Sequence, residues 1–292
     1  MKKVMIKYSY VILLALTCVI AMGIWTVYTL AKKPASYDLG PMDLAGDPMD
    51  APDEPEVTVP DVPFLPEKHT PHVKDEPEPV YVIGEAEDGY FEDALFVGDS
   101  RTVGLSEYGD LPGADFFAAT SMTVFGVRSQ SVSVPGVGTM RLGELLQSKT
   151  YGKIYVMLGI NELGDSIDLI ADSYADLLDE IQQAQPDAHI IIEAVMHVTA
   201  KRSNSDKGIN NPRVDQLNAL LKANADNEKI FYIDVNEVFD DGEGNLDSQY
   251  TFDHAHLLAR YYTDWSDWLR ENAVVLDPSS VVTTEAPAEE VE

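Results

Sequence analysis

A single cysteine, Cys18, stands among 292 residues, and it lies inside an apolar run. One thiol can build neither an internal disulfide framework nor a cysteine-based zinc site. Positive charge is the second shortage. Lys and Arg number 20 against 50 Asp and Glu, a formal net charge of −30. Residues 81–273 hold 33 acids and 13 bases and so carry −20 by themselves. A domain of that sign repels a phosphate backbone, which excludes nucleic acid as a partner. No segment recurs at a fixed period, which excludes a solenoid.

Charge is absent altogether from residues 11–30, VILLALTCVIAMGIWTVYTL. About 20 apolar residues suffice for a helix to cross a bilayer. Lys2, Lys3 and Lys7 precede this run, while Lys32 and Lys33 follow it. The slight excess on the amino-terminal side orients that end inward. A cleaved leader is the alternative, with Thr29-Leu30-Ala31 as its small-residue site. Leader cores usually span about 7–15 residues, shorter than this run, which favours an uncleaved anchor over residues 1–33. Residues 34–80 hold 11 of the 17 prolines and 12 acids. Such a stretch buries too little apolar surface to offset its ordering entropy, and its prolines keep it extended. At about 3.1 Å per residue this spacer reaches about 140 Å. The acidic stretch 277–292 reads as a second disordered end. The expected folded domain is residues 81–276, membrane-tethered, extracytoplasmic and monomeric.

Within that domain, apolar runs at 94–97, 116–119, 154–158, 190–195 and 230–233 read as strands covered on both faces. Helical spacing falls between them. Ile170, Tyr174, Leu177, Leu178 and Ile181 share one face of a helix over 167–184. Asn211-Pro212 reads as the cap and first turn of another, and a shorter one covers 140–147. A last helix begins near His256, with Tyr261, Tyr262, Trp265 and Trp268 at core spacing. This alternation predicts an α/β fold, a three-layer α/β/α sandwich around a central, mainly parallel five-stranded sheet.

Active sites of such sheets lie beyond the carboxyl ends of the strands. Gly98-Asp99-Ser100 follows the first strand, where Asp99 or Ser100 caps a helix or the serine is an exposed nucleophile. Gly159-Ile160-Asn161-Glu162 follows the third, where Asn161 either caps a helix or aims its amide at an oxyanion. Asp253-His254-Ala255-His256 comes late, either a helix amino-terminus or an Asp and second His spaced as orienter and base. No other His or Cys cluster completes a metal site there.

In order and position these three blocks match one family. The chain resembles the SGNH (GDSL-like) hydrolases over about residues 92–272, in the acidic, membrane-anchored form of Gram-positive anaerobes. The resemblance implies a Ser100–His256–Asp253 triad, with an oxyanion hole from the Ser100 N–H, the Ser121 N–H and the Asn161 amide. Ser121 departs from the pattern, because the family places a glycine there. A Cβ at that point crowds the acyl group. Arg101, Glu162 and His197 are further candidates for substrate contact, although Arg101 could simply pair with an acid and His197 could be structural. His254 is read as solvent-exposed. No metal or organic cofactor is implied. The implied activity is hydrolysis of acyl esters, with O-acetylated envelope glycans as the substrate the tether favours. Lipid ester hydrolysis, acyl transfer to a sugar hydroxyl, and a catalytically weakened wall-binding module stay open as alternatives.

Overall fold

Five continuous apolar runs become five strands in the computed structural model, which describes residues 79–280. The apolar run at 11–30, nearly all of the spacer and most of the acidic tail lie outside the described residues. No described helix is long and apolar enough to cross a membrane.

The described residues open with β1 (Tyr81–Gly84), then β2 (Ala94–Gly98), α1 (Ser100–Tyr108) and β3 (Asp115–Ala118). There follow β4 (Ser131–Val134), β5 (Gly138–Arg141), α2 (Leu142–Ser148), β6 (Lys153–Met157), α3 (Ile167–Ala184) and β7 (His189–Glu193). The last part holds α4 (Ala200–Ser205), α5 (Asn211–Lys222), β8 (Ile230–Ile233), α6 (Asn236–Phe239), α7 (Tyr262–Glu271) and β9 (Ala273–Leu276). The central sheet runs β3-β2-β6-β7-β8, and every pairing in it is parallel. Two small antiparallel pairs, β1–β9 and β4–β5, stand apart from it.

Alternation along each strand divides the core. Val97, Ile154, Val156, Ile190 and Ile192 pack with Leu145 of α2, Ile170, Tyr174 and Leu178 of α3, and Leu217 of α5. Phe96, Tyr155, Ile191 and Phe231 pack on the other face with Leu105 of α1 and Trp265 of α7. Each such side chain contributes about 1.5–3 kcal/mol by leaving water. Tyr262, Trp265 and Trp268 are buried, as their helical spacing required.

Three local expectations shift. The last helix begins at Tyr262 after a short 3-10 turn at Ala259–Tyr261, not near His256. His256 is held instead in a loop closed by a Thr251–Leu257 bridge. The helix cap is Asn210, whose side chain accepts from the Arg213 N–H. Asn211 is the first helical residue, and its buried amide bonds to both the N–H and the carbonyl of Val198. The β4–β5 hairpin, too short and polar to stand out as a periodic run, fills 131–141.

Strand order positions the site. Strand order reverses at β2, with β3 placed on one side of it and β6 on the other, which makes the crevice at the carboxyl ends of β2 and β6 the switch point of the parallel sheet. Gly98 lies level with Ala118 and with Met157. The loops that carry Ser100, Ser121 and Asn161 therefore leave the sheet at one level.

Candidate active site

Ser100 opens α1, and two local features deliver it. A Cβ on Gly98 would lie 1.9 Å from Thr102 Oγ1, so only glycine allows the strand to turn this tightly into the helix. Asp99 caps the helix, its carboxylate accepting from the Arg101 N–H at 2.9 Å. The capping reading of this motif is thus correct, and it leaves the Ser100 hydroxyl free to face the crevice.

That hydroxyl meets His256 Nε2 at 2.8 Å. On the far side of the ring, Nδ1 lies 2.7 Å from Asp253 Oδ2. An ionised carboxylate only accepts, so Nδ1 carries the proton and Nε2 is left to accept from Ser100. Both ring nitrogens are thereby engaged. Asp253 does a second job through Oδ1, which accepts the N–H groups of Ala255 and His256 at 3.0 and 2.9 Å. Burial works to raise the Asp253 carboxyl, but the bonds from the His256 N–H, its imidazole and the Ala255 N–H outweigh it and hold the group well below the usual carboxylate range.

Ser121 sits beside this relay in a left-handed conformation, φ 61. The Met122 N–H donates to the Ala119 carbonyl at 3.1 Å, closing a turn in which Ser121 is the third residue. A positive φ at that position defines a type II turn, whose third place favours glycine. The Ser100 and Ser121 N–H groups have no hydrogen-bond acceptor among the described residues. Asn161 Nδ2 donates to the Met122 carbonyl at 2.9 Å, which fixes the amide next to Ser121 and leaves its second hydrogen free. Gly159, at φ 128 and with Leu217 packed where a Cβ would go, makes the turn that brings Asn161 there.

A sequence profile for the GDSL-like lipase/acylhydrolase family matches residues 96–263, more than half of the chain and all of this constellation. The chain belongs to the GDSL-like lipase/acylhydrolase family. It is an ester-hydrolysing enzyme. Among solved structures it is similar to a GDSL-like lipase from Bacteroides thetaiotaomicron, at 17% identity and a TM-score of 0.47 over 61% of this chain and 85% of that one. It is also similar to an acetyl xylan esterase, at 14% identity and a TM-score of 0.45 over 60% and 96%. A carbohydrate esterase from Talaromyces cellulolyticus matches at 14% identity and a TM-score of 0.40 over 61% and 91%. No curated protein sequence matches the chain.

In this acylhydrolase the three other candidates for substrate contact face inward. Arg101 is 2% exposed, and its guanidinium donates to the carbonyls of Met196, His197 and Ala255 at 2.8, 3.4 and 3.3 Å. Burial pushes the Asp99 carboxyl up and the Arg101 guanidinium down, and each counters the shift of the other. Arg101 therefore ties the start of α1 to the loop of His256, and it does not reach the crevice. Glu162 is buried and accepts the Val124 N–H through Oε1. Burial pushes its carboxyl up to about 7. It braces the 119–124 loop against the 158–162 loop. His197 is wedged between two carboxylates, Nδ1 on Asp240 at 2.6 Å and Nε2 on Asp215 at 2.9 Å. Burial lowers its pKa, but the two carboxylates outweigh that and raise it. It is a strut after β7.

Two features of the acylhydrolase site went unread in the sequence. His254 is half-buried at φ 73, with Nδ1 enclosed and unpartnered among the described residues, rather than exposed. Phe252, next to Asp253, is 90% exposed. An aromatic preceding an Asp-x-x-His block was the available signal.

Proposed function

We propose that this enzyme is a serine esterase that removes small acyl groups, acetyl foremost, from cell-envelope glycans. The observation that carries the reading is the continuous Ser100–His256–Asp253 chain of hydrogen bonds, 2.8 and 2.7 Å long. Ser100 Oγ attacks the ester carbonyl as His256 Nε2 takes its proton. The negative charge that develops on the carbonyl oxygen is met by the Ser100 N–H, the Ser121 N–H and the free hydrogen of Asn161 Nδ2. One such donor is typically worth about 2.7–4 kcal/mol of barrier. Collapse expels the sugar hydroxyl, which takes the proton back from His256. Water activated by the same imidazole then releases the acid and restores Ser100. Asp253 holds the Nδ1–H tautomer throughout and stabilises the imidazolium.

Acyl size is argued from Ser121. Its Cβ stands where glycine would leave room, so acetyl fits and longer chains are disfavoured. Location is argued from residues 1–80. The apolar run at 11–30 and the proline-rich acidic stretch after it support a tether that carries the domain outside the membrane, where O-acylated glycans are the accessible esters, and the acidic domain is repelled by anionic lipid. The test is a chain-length series of 4-nitrophenyl esters, followed by acetate release from O-acetylated glycan, using the full chain. Acetyl should be the preferred acyl group. A preference for long acyl chains would replace this reading with lipid hydrolysis, and no ester turnover at all would end it.

A further inference from the structure

Residues 81–273 contain only 13 basic side chains, yet Lys201, Arg202 and Lys207 fall within seven consecutive positions. The structure gathers them, with Ser205 and Asp206, around a groove of about 360 Å³ whose other walls are Asp253 and His254. Asp253 is the carboxylate that holds His256. The groove therefore adjoins the reaction centre itself. Its placement is fixed by the backbone: Thr199, the cap of α4, donates its N–H to the His254 carbonyl at 3.1 Å. The cations of α4 are thus tied to the loop that carries Asp253 and His256.

The acids of the groove do not neutralise it. Asp253 is committed to the imidazole and the N–H groups of its own loop. Asp206 Oδ1 accepts the Gly208 and Ile209 N–H groups at 2.9 and 3.0 Å, and its Oδ2 lies 3.4 Å from Arg202. Lys201 and Lys207 are exposed, and neither has an ion-pair partner among the described residues. Clustered lysines are ordinarily a solvated face. Here they line a concavity walled by the carboxylate that holds His256, in a domain that otherwise repels anions. A volume of this order holds a small ligand group.

We infer that this groove is a subsite for an anionic group on the substrate, so that the ester is borne by an acidic glycan. The anion is a carboxylate or a phosphate, and Lys201, Arg202 and Lys207 receive it. Lys201 and Lys207 supply the uncompensated charge. This inference deepens the proposed function and rests on it. The field of the whole domain opposes anions at a distance, but at physiological ionic strength it is screened beyond about 8 Å. Selectivity is then decided within the groove.

Three O-acetylated probes test it with the full chain: a neutral hexoside, a uronide and a hexose phosphate. The expected result is a kcat/KM about tenfold higher for at least one anionic probe than for the neutral one, expressed in KM. The uronide and phosphate arms distinguish the two anions. In the Lys201→Ala/Lys207→Ala double variant, checked for native circular dichroism, that ratio should fall to about one. In the wild type it should shrink from about 0.1 M to about 1 M salt, where the screening length drops from about 10 to about 3 Å. A preference for the neutral probe, or an anionic preference kept by the double variant, overturns the subsite. Hydrolysis of 4-nitrophenyl acetate reads the underlying function separately. If that ester is not turned over, both readings fall; if it is turned over without anionic preference, only the subsite does.

Discussion

Replacing Ser121 by glycine isolates a backbone cost that no contact in the structure offsets. The residue sits at φ 61, and a left-handed conformation costs an L-residue about 1–2 kcal/mol. The side chain is exposed and its hydroxyl makes no hydrogen bond among the described residues, so its removal forfeits nothing there. Against the gain stands the greater freedom of glycine in the unfolded chain, about 0.5–1 kcal/mol. The balance is a stabilisation of about 0.5–1 kcal/mol. For a domain of this size that raises the unfolding midpoint by about 1–4 °C. Differential scanning calorimetry of wild type and Ser121→Gly reads it directly. Turnover of 4-nitrophenyl acetate should be kept, because the N–H remains, and turnover of the butyrate should rise as the Cβ leaves the acyl space. A destabilised Ser121→Gly protein would refute the left-handed turn. Collapsed turnover in an intact fold would show that the hydroxyl, not the N–H, is what the reaction needs. Ser121→Pro is no substitute, because proline is fixed near −65° and cannot enter this turn.

Ser100→Ala and His256→Ala should each lower kcat at least about 10³-fold with native circular dichroism, and unchanged turnover in Ser100→Ala would defeat the mechanism. Arg101→Met strips three carbonyls of their donor, so urea denaturation should show a loss of about 1–3 kcal/mol. A loss under about 1 kcal/mol would mean that Arg101 does not pin the His256 loop. Glu193 is fully enclosed, and burial pushes its carboxyl from the ordinary range near 4.5 up to about 8. The folded state therefore holds a proton that the unfolded state has released, and stability should fall as pH rises from about 4.5 to about 8. Glu193→Gln should flatten that decline, and identical pH–stability curves for the two proteins would contradict it.

The sheet was legible because its strands are buried on both faces, which leaves unbroken runs such as 190–192 that neither a helix nor a surface strand would show. The helix at 167–184 was legible to the residue for a related reason, since its apolar stripe is continuous and no turn residue interrupts it. What escaped depends on contacts distant in sequence. The edge pair β1–β9 joins residues nearly two hundred positions apart and is apolar on no single period. Arg101 and Glu162 stand next to site residues in the chain and His197 follows the fourth strand, and those placements suggested substrate contact. A residue neighbouring an outward-facing one in a turn can equally face the interior, and each of these three finds buried partners there. The start of the last helix was misplaced for the same reason. Asp253 captures the N–H groups of Ala255 and His256 in a local turn, a competition with helix that composition does not resolve.

That turn explains how the relay is kept in order while remaining open. The side chains of His256 and Asp253 are 43% and 52% exposed, so solvent screens their attraction and the ion pair alone would not hold the ring. Backbone bonds supply the order instead. Asp253 Oδ1 fixes the two N–H groups of its loop, Arg101 holds the Ala255 carbonyl from below, and Thr199 holds the His254 carbonyl from the side. Each anchor acts on peptide groups flanking His256, and none covers the imidazole. A ring positioned in this way stays ordered while open to solvent. The same anchors set the cationic groove at a fixed offset from the ring. Loosening any of them should therefore degrade turnover and anion preference together, whereas removing the lysines should degrade preference alone.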